Sequence, residues 1–412
     1  MKAGVNMETI YDLLVLGGGP AGLAAGMYGA RARMKTAIIE KGRPGGQAAT
    51  TWDLENYPGF GRGTTGPGLT QAMADHAQSF GAEFIKDSIV SLDLKSFPKK
   101  VIGKKGEYLG KALVYALGAE PRMLKVPGEG KLRGKGVSYC ATCDADLFEE
   151  LEVAVVGSGD AAIEEAEYLS KFADQVSIIV IHEEGKVDAN QVSFERAQQN
   201  PKLKWVWNSI VKSVNGEELV ESITLKNIQT GEEIDYPVNG VFIFIGTVPI
   251  TEALPEQVQV NPQGYIITDE KMATSVEGVF AAGDVRVKYL RQVVTAASDG
   301  AIAAVAAEKY VHETELWEKE VLKAQKPVLV AYYNPTDMSG TEKVGIVDRF
   351  VRANNESFSL VKVDATRNEL VGRRYNINLD KLPMLHVFVN GEVKQEVGDI
   401  NDDSLKAISK SL

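Results

Sequence analysis

The chain has 412 residues, 44% of them hydrophobic and 25% charged, which is enough apolar side chain for two or three ordinary domain cores. A formal net charge of -11 argues against nucleic acid or an anionic membrane as the main partner, because both are bound chiefly through Lys and Arg. No charged n-region followed by an apolar h-region stands near the start and no apolar stretch is long enough to cross a bilayer, so a cytoplasmic location is expected.

Residues 11–16 form an apolar run that ends in Gly17-Gly18-Gly19-Pro20-Ala21-Gly22, and residues 23–33 are rich in Ala at helical spacing. The pattern predicts strand, tight turn and helix. A second apolar run, 36–39, ends in Glu40 and places an acid at the tip of the next parallel strand. Together these make a βαβ unit with a dinucleotide fingerprint: glycines let the backbone approach a pyrophosphate, the helix N-terminus stabilises its charge, and Glu40 accepts from ribose hydroxyls.

Cys140 and Cys143 are the only cysteines in the sequence. One such pair in a cytosolic chain is not an extracellular staple. The four histidines are all remote from it, and zinc normally takes four ligands, so no metal is expected. Redox chemistry is the favoured reading, because the Cys-x-x-Cys spacing closes a small disulfide ring and commonly depresses one thiol's pKa. Asp144 follows directly. A carboxyl there reads equally as a general acid or base for a leaving thiolate and as a helix cap at a turn.

The strand–turn–helix grammar recurs at 153–156, Gly157-Ser158-Gly159-Asp160-Ala161-Ala162 and 163–170, followed by a strand at 175–181. Two fingerprints in register with their strands imply two Rossmann-like domains, with Gly157, Gly159 and Ala162 in the corresponding roles of the second. Further on, Gly278 to Asp284 reads as a short buried strand ending in a Gly-Asp turn, with a helix expected over 291–310. A charged helical stretch, 312–323, is taken as a linker. Beyond Lys326 the order strand (328–333), helix (341–353), strand (357–363), helix, strand (385–389), turn at Asn390-Gly391, strand, helix predicts a small separate α/β domain.

Several motifs together resemble low-molecular-weight thioredoxin reductases over about 11–311. Gly17, Gly19, Gly22 and Glu40 match the family's FAD fingerprint. Gly45-Gly46-Gln47, Glu55-Asn56-Tyr57-Pro58-Gly59, and Gly283-Asp284 with Arg291-Gln292 match its flavin-side segments, and Gly118 lies in the nearby Ala116-Leu117-Gly118-Ala119. Cys140 to Asp144 resembles the catalytic Cys-x-x-Cys-Asp, and Gly246 to Pro249 a Gly-x-x-Pro turn. The resemblance implies an α/β protein with two three-layer Rossmann-like domains, the second inserted in the first: an FAD domain from 8–121 and 248–320, and a pyridine-nucleotide-like domain over 122–247. It also implies a homodimer, an alternation by rotation of which site faces the flavin, and attack on the substrate by the first cysteine. Pro20, Ala21, Gly46, Gln47, Asn56, Arg291 and Gln292 are the further residues it assigns to FAD.

Three departures from the family carry information. Where it holds an adenosine 2′-phosphate with His-Arg-Arg-x-x-x-Arg, this chain has His182-Glu183-Glu184-Gly185-Lys186-Val187-Asp188, so three cationic positions are acidic. Carboxylates there repel the phosphate that arginines would bind, which disfavours NADPH. NADH, with Glu183 or Glu184 accepting from free ribose hydroxyls, is expected over a ferredoxin-linked alternative that uses no pyridine nucleotide. Leu117 stands where relatives usually have Thr, with packing the modest reading. Finally, 324–412 resembles thioredoxin, Pro383 matching its cis-proline, yet Asp337-Met338-Ser339-Gly340 replaces Cys-Gly-Pro-Cys. That domain cannot exchange disulfides; docking, dimer bracing, a vestige of fusion or simple stabilisation remain.

The expected function is therefore electron transfer from a reductant through FAD and Cys140/Cys143 to a protein disulfide, on thioredoxin or a glutaredoxin-like carrier. A peroxiredoxin-linked reductase is disfavoured, since thioredoxin-fold material in such enzymes lies N-terminal and keeps its cysteines. A non-catalytic flavoprotein, serving as redox sensor or binding subunit, is opposed by retention of both cysteines and Asp144.

Overall fold

The computed structural model describes residues 9–50, 54, 56–61 and 63–411. Two compact units divide the chain, Met1–Glu308 and Lys309–Leu412. In the first, strand Ile10–Leu16 lies between Thr36–Glu40 and Glu107–Tyr115, parallel to both, with Glu83–Lys86 beyond Thr36–Glu40. Leu13 to Leu16 are wholly inaccessible, which is why their stretch reads as a continuous apolar run and does not alternate: both sheet faces are covered. Glu107–Tyr115 continues into the antiparallel strands Lys99–Gly103 and Ile89–Asp93, and its last residues also pair with Val279–Ala281. The last pairing brings a distant segment of chain into the first sheet.

A second, all-parallel sheet is ordered Leu203–Val206, Gln175–Ile179, Glu152–Val156, Gly240–Ile243, Val137–Ser138. A three-stranded antiparallel sheet, Ser209–Asn215, Ser222–Asn227 and Glu233–Pro237, lies beside it in sequence. The chain passes from the first sheet to the second and back through two short strands, Ala119–Pro121 and Thr247–Pro249, that pair antiparallel with each other. The second Rossmann-like sheet is thus inserted in the first.

The first helix is Pro20–Arg31, three residues earlier than its Ala pattern suggests. Proline at the first helical position costs nothing, because its missing N–H would have had no partner there. The second fingerprint's helix, Asp160–Leu169, likewise starts directly after its last glycine.

In the second unit, strands are ordered Ser359–Asp364, Val328–Tyr333, Met384–Val389, Glu392–Val397. Alternation along the central strand sends Leu329 and Ala331 toward helices Met338–Ala353 and Asp402–Ser411, and Val328, Val330 and Tyr332 to the opposite face. On that face the expectation of a linker at 312–323 is corrected. The helix that begins at Val293 runs to Trp317 and widens into a π-helical turn, Glu318–Leu322, and Trp317 and Val321 are buried among Val330, Tyr332 and Phe388. Its charged residues are the solvent face of a packed segment. The Leu382–Pro383 bond is cis, and Asn390 and Gly391 both take positive φ in the hairpin turn, as their residue types suggest.

Candidate active site

The first glycine turn shows two separate reasons for glycine. A Cβ on Gly17, at φ +105°, would lie 2.4 Å from the Ala116 carbonyl oxygen, and one on Gly22 would lie 1.9 Å from that of Gly17. These two serve the close approach of backbone to backbone. At Gly19 only the Gly46 Cα comes within 4 Å, so the space above it is open to a ligand. Gly45 and Gly46 have positive φ, and the Gly45 amide donates to the Gly18 carbonyl, holding this loop against the turn. Glu40 accepts from the amides of Gly18 and Gly42, both at 2.8 Å, which fixes its carboxylate at the strand tip.

A cleft of about 970 Å³ runs from this turn. Gly17, Gly19, Pro20, Ala21, Glu40, Gly46, Gln47, Asn56, Gly118, Gly283, Asp284, Arg291 and Gln292 line it, and so do Cys140, Cys143 and Asp144. Gly22 does not; its role is packing. Glu55 lies outside the described residues. Leu117 lines the cleft and packs against the core of the first sheet, which accords with a packing substitution.

Asp284 bears most directly on a cofactor. Its Oδ1 is buried with no protein partner, and burial pushes its carboxyl above the usual carboxylate range, with Lys288 and Arg291 opposing. An orphaned buried carboxyl oxygen costs free energy unless a ligand hydroxyl meets it. The residues therefore fit a dinucleotide such as FAD. Asp299, buried between Arg286 and Lys288, accepts from the Gly283 amide and so holds this turn in place. Arg291 stacks on Tyr265, 4.3 Å from the ring centre, and donates to the Asp284 carbonyl.

Cys140 and Cys143 form a disulfide at the start of the short helix Ala141–Asp144. Ser138 ties this turn together: its hydroxyl donates to Asp144 Oδ2 at 2.5 Å and accepts from the Cys140 amide at 3.1 Å. From the flavin-side segments, Asn56 Nδ2 donates to the Thr142 carbonyl and to Gln292 Oε1, and Gln292 Nε2 donates to Thr142 Oγ1 at 2.8 Å. Sequence reasoning singled out neither Ser138 nor Glu165. Glu165, on the second fingerprint's helix, lines the same cleft with a buried, unpartnered Oε2, and burial next to Glu164 raises its carboxyl. The signal for it was a pair of acids one turn into a nucleotide-site helix.

The second fingerprint is built like the first. Gly157, at φ +134°, would bring a Cβ to 2.4 Å from the Phe244 carbonyl oxygen, Gly159 is open, and Ala162 is buried. Gly246 has positive φ, and its carbonyl accepts from the Arg122 amide where the two crossing strands meet. None of Gly157, Gly159, Ala162, Glu183, Glu184 and Gly246 lines the cleft that holds the disulfide. The segment after strand Gln175–Ile179 folds back over the turn: Asp188 accepts from Ser158 Oγ at 2.8 Å and lies 3.0 Å from His182 Nε2. Those two partners, Ser158 first, hold the Asp188 carboxyl below its usual range. Asp160 Oδ1 accepts from the backbone and side chain of Asn190, both at 2.7 Å. Lys186 is paired with Glu183, lowering that acid's pKa.

In the second unit, Asp337 caps helix Met338–Ala353 through the amides of Ser339 and Gly340 where a redox pair would otherwise stand. Among the described residues no three His, Cys, Asp or Glu side chains converge as metal ligands, and no helix is long and apolar enough to cross a membrane.

Comparison with known proteins matches residues 11–300 to the pyridine nucleotide-disulphide oxidoreductase family and 308–411 to the thioredoxin family. Thioredoxin reductase from Peptoclostridium acidaminophilum is 52% identical over 311 residues, 74% of this chain and 98% of that protein. That of Bacillus subtilis is 44% identical over 324 residues, 78% of this chain and all of its own. The crystal structure of thioredoxin reductase from Streptococcus pyogenes superimposes with a TM-score of 0.71 at 39% identity, covering 74% of this chain and 99% of the other.

Proposed function

Because the chain belongs to the pyridine nucleotide-disulphide oxidoreductase family, among its thioredoxin reductases, we propose that it passes electrons from NADH through FAD and the Cys140/Cys143 disulfide to the disulfide of a thioredoxin. The observation that carries this is the disulfide's position in the same cleft as the first glycine turn and the orphaned Asp284 carboxyl. FAD, when bound, supplies the two-electron reduction of the disulfide. Gly17, Gly19, Pro20 and Ala21 would hold its pyrophosphate at a turn that Gly22 keeps tightly packed, Glu40 and Asp284 would meet its hydroxyls, and Gly46, Gln47, Asn56, Gly118, Gly283, Arg291 and Gln292 would complete the cleft around it.

With the dithiol formed, the Cys140 thiolate attacks one sulfur of the partner disulfide. That S–S bond breaks, a mixed disulfide forms, and the partner's second sulfur leaves as a thiolate that takes a proton. The Cys143 thiolate then attacks Cys140 Sγ, restores the intramolecular disulfide and releases the partner's other thiolate. Asp144, oriented by Ser138, carries the proton. A glutaredoxin-like carrier is the alternative partner. We take the working assembly to be a cytoplasmic homodimer, with an FAD domain of 8–121 and 248–308, a nucleotide domain of 122–247, and a redox-inert domain that takes in 309–323 along with 324–412.

NADH is preferred to NADPH because a 2′-phosphate at this strand end would meet Glu183, Glu184 and Asp188, while Lys186 is engaged with Glu183. Anaerobic mixing tests the donor. NADH in catalytic amounts is expected to bleach the flavin absorbance, with little response to NADPH; replacing Glu183 and Glu184 together with Arg should shift the preference toward NADPH by about 100-fold, two charge-assisted contacts. A second reading, reduction by ferredoxin, is favoured by one observation: Ser158 and Asp160 at the second turn are already bonded to Asp188 and Asn190. Bleaching by photoreduced ferredoxin alone would establish it and overturn NADH.

A further inference from the structure

We propose that the side-chain amide of Gln292 discriminates between the two sulfurs of the dithiol, placing the thiolate on Cys140 and the retained proton on Cys143. This rests on the disulfide-exchange reading above and adds to it a residue otherwise assigned only to the cofactor. Gln292 Nε2 lies 3.7 Å from Cys140 Sγ, while its Oε1 lies 4.0 Å from Cys143 Sγ. The donor end of one amide thus faces one sulfur and the acceptor end faces the other.

Its orientation is fixed from two sides. Asn56 Nδ2 donates to Oε1 at 3.2 Å, and Nε2 donates to Thr142 Oγ1 at 2.8 Å. Since that hydroxyl oxygen accepts from the amide, its own hydrogen is free for Cys140 Sγ, 3.4 Å away. A chain of donors, Asn56 to Gln292 to Thr142, therefore ends on Cys140.

In the disulfide these donors meet a weak neutral acceptor. Two-electron reduction, supplied by the reduced flavin, breaks the S–S bond and leaves an electron pair on each sulfur; one is neutralised by a proton and the other remains a thiolate. Hydrogen bonds to a charged acceptor are roughly twice as strong as to a neutral one, so the donor chain favours charge on Cys140. A thiol on Cys143 finds its acceptor in Gln292 Oε1. The amide so lowers the free energy of breaking the disulfide in one direction. Because Gln292 and Asn56 belong to the flavin-side segments, the preference holds while the pair faces the cleft.

The test is site-resolved alkylation of the reduced, flavin-loaded, full-length protein by iodoacetamide, quantified by mass spectrometry across pH. In the wild type Cys140 is expected to react ahead of Cys143, at a lower midpoint pH. Gln292→Leu should raise the Cys140 midpoint by about one unit, a tenfold loss of thiolate, and Thr142→Val should move it in the same direction by less. Thr142→Val is nearly isosteric and keeps the test open if the larger change disturbs folding. Unchanged Cys140 profiles in both variants, or faster reaction at Cys143 in the wild type, overturn the proposal and leave the exchange reading standing. If chemical reduction of the flavin leaves the wild-type disulfide closed, the exchange reading fails and takes this proposal with it.

Discussion

Ser138 has no redox chemistry, yet its hydroxyl, donating one hydrogen bond and accepting another, sets the geometry of the turn that carries the disulfide. One fixes the Asp144 carboxyl and the other accepts the Cys140 amide. Hydrogen bonds to charged groups contribute about 1.5–3 kcal/mol. Ser138→Ala is accordingly expected to lower turnover with a thioredoxin substrate by about tenfold or more while leaving the stoichiometry of bound flavin unchanged, as steady-state kinetics and the flavin-to-protein absorbance ratio would reveal. Loss of flavin together with activity would mean that the hydroxyl supports the fold and not Asp144. The pairing of Cys140 with Cys143, and the nearness of Asp144 to it, were readable because all three stand within five adjacent residues. The contacts of Gln292 were not, since it meets Thr142 and Cys140 from about 150 positions away in the chain, and no local pattern encodes that meeting. The reversal of charge at Glu183, Glu184 and Asp188 was plain in the sequence. That Asp188 also accepts from Ser158 was not, because a carboxylate's sign says nothing about its partners.

At the scale of elements, the glycine turns were legible for a steric reason: a strand that must turn into a helix within a few residues leaves room only for hydrogen where backbones touch. Gly22 shows how little tolerance remains, since an added methyl carbon would lie 1.9 Å from the Gly17 carbonyl oxygen, which is backbone and cannot swing aside. Gly22→Ala should therefore push helix Pro20–Arg31 off its strand, at a cost of about 3 kcal/mol, and the purified protein should carry substoichiometric flavin with a lowered melting temperature. Retention of full flavin would show that the helix can shift without opening the pyrophosphate turn. The short strand Val279–Ala281 was legible as a buried apolar run before a Gly-Asp turn, but its partner was not, because it pairs with the distant Glu107–Tyr115. The stretch 312–323 misled because its many charges outnumber the two buried apolar residues, Trp317 and Val321, that attach it to a core.

At the scale of the whole molecule, each unit has cores of its own, and the second contains a group with no evident use in redox chemistry. His386 is buried against Tyr332 with neither ring nitrogen hydrogen-bonded and Glu396 Oε1 3.8 Å from Nε2, and burial holds its pKa below the ordinary histidine range, with Glu396 opposing. The folded unit keeps this ring neutral, whereas the unfolded chain protonates it below about pH 6.5. Stability of the second unit is therefore present above that range and lost as pH falls through it. Urea titrations followed by hydrogen exchange in the strands Val328–Tyr333 and Met384–Val389 should show that loss, and His386→Leu should abolish it and stabilise the unit at every pH. An unaltered acid response in His386→Leu would assign the effect to carboxylates instead.

The pairing of Cys140 with Cys143 has a practical side as well. No free thiol remains in the oxidised chain, so a single cysteine introduced on the surface, for instance at the exposed Met338, would be the sole target for a maleimide dye. Mild reduction would then uncover two more targets, both within one turn of helix. Fluorophore stoichiometry, read before and after reduction, thus counts working centres directly in a mixed preparation.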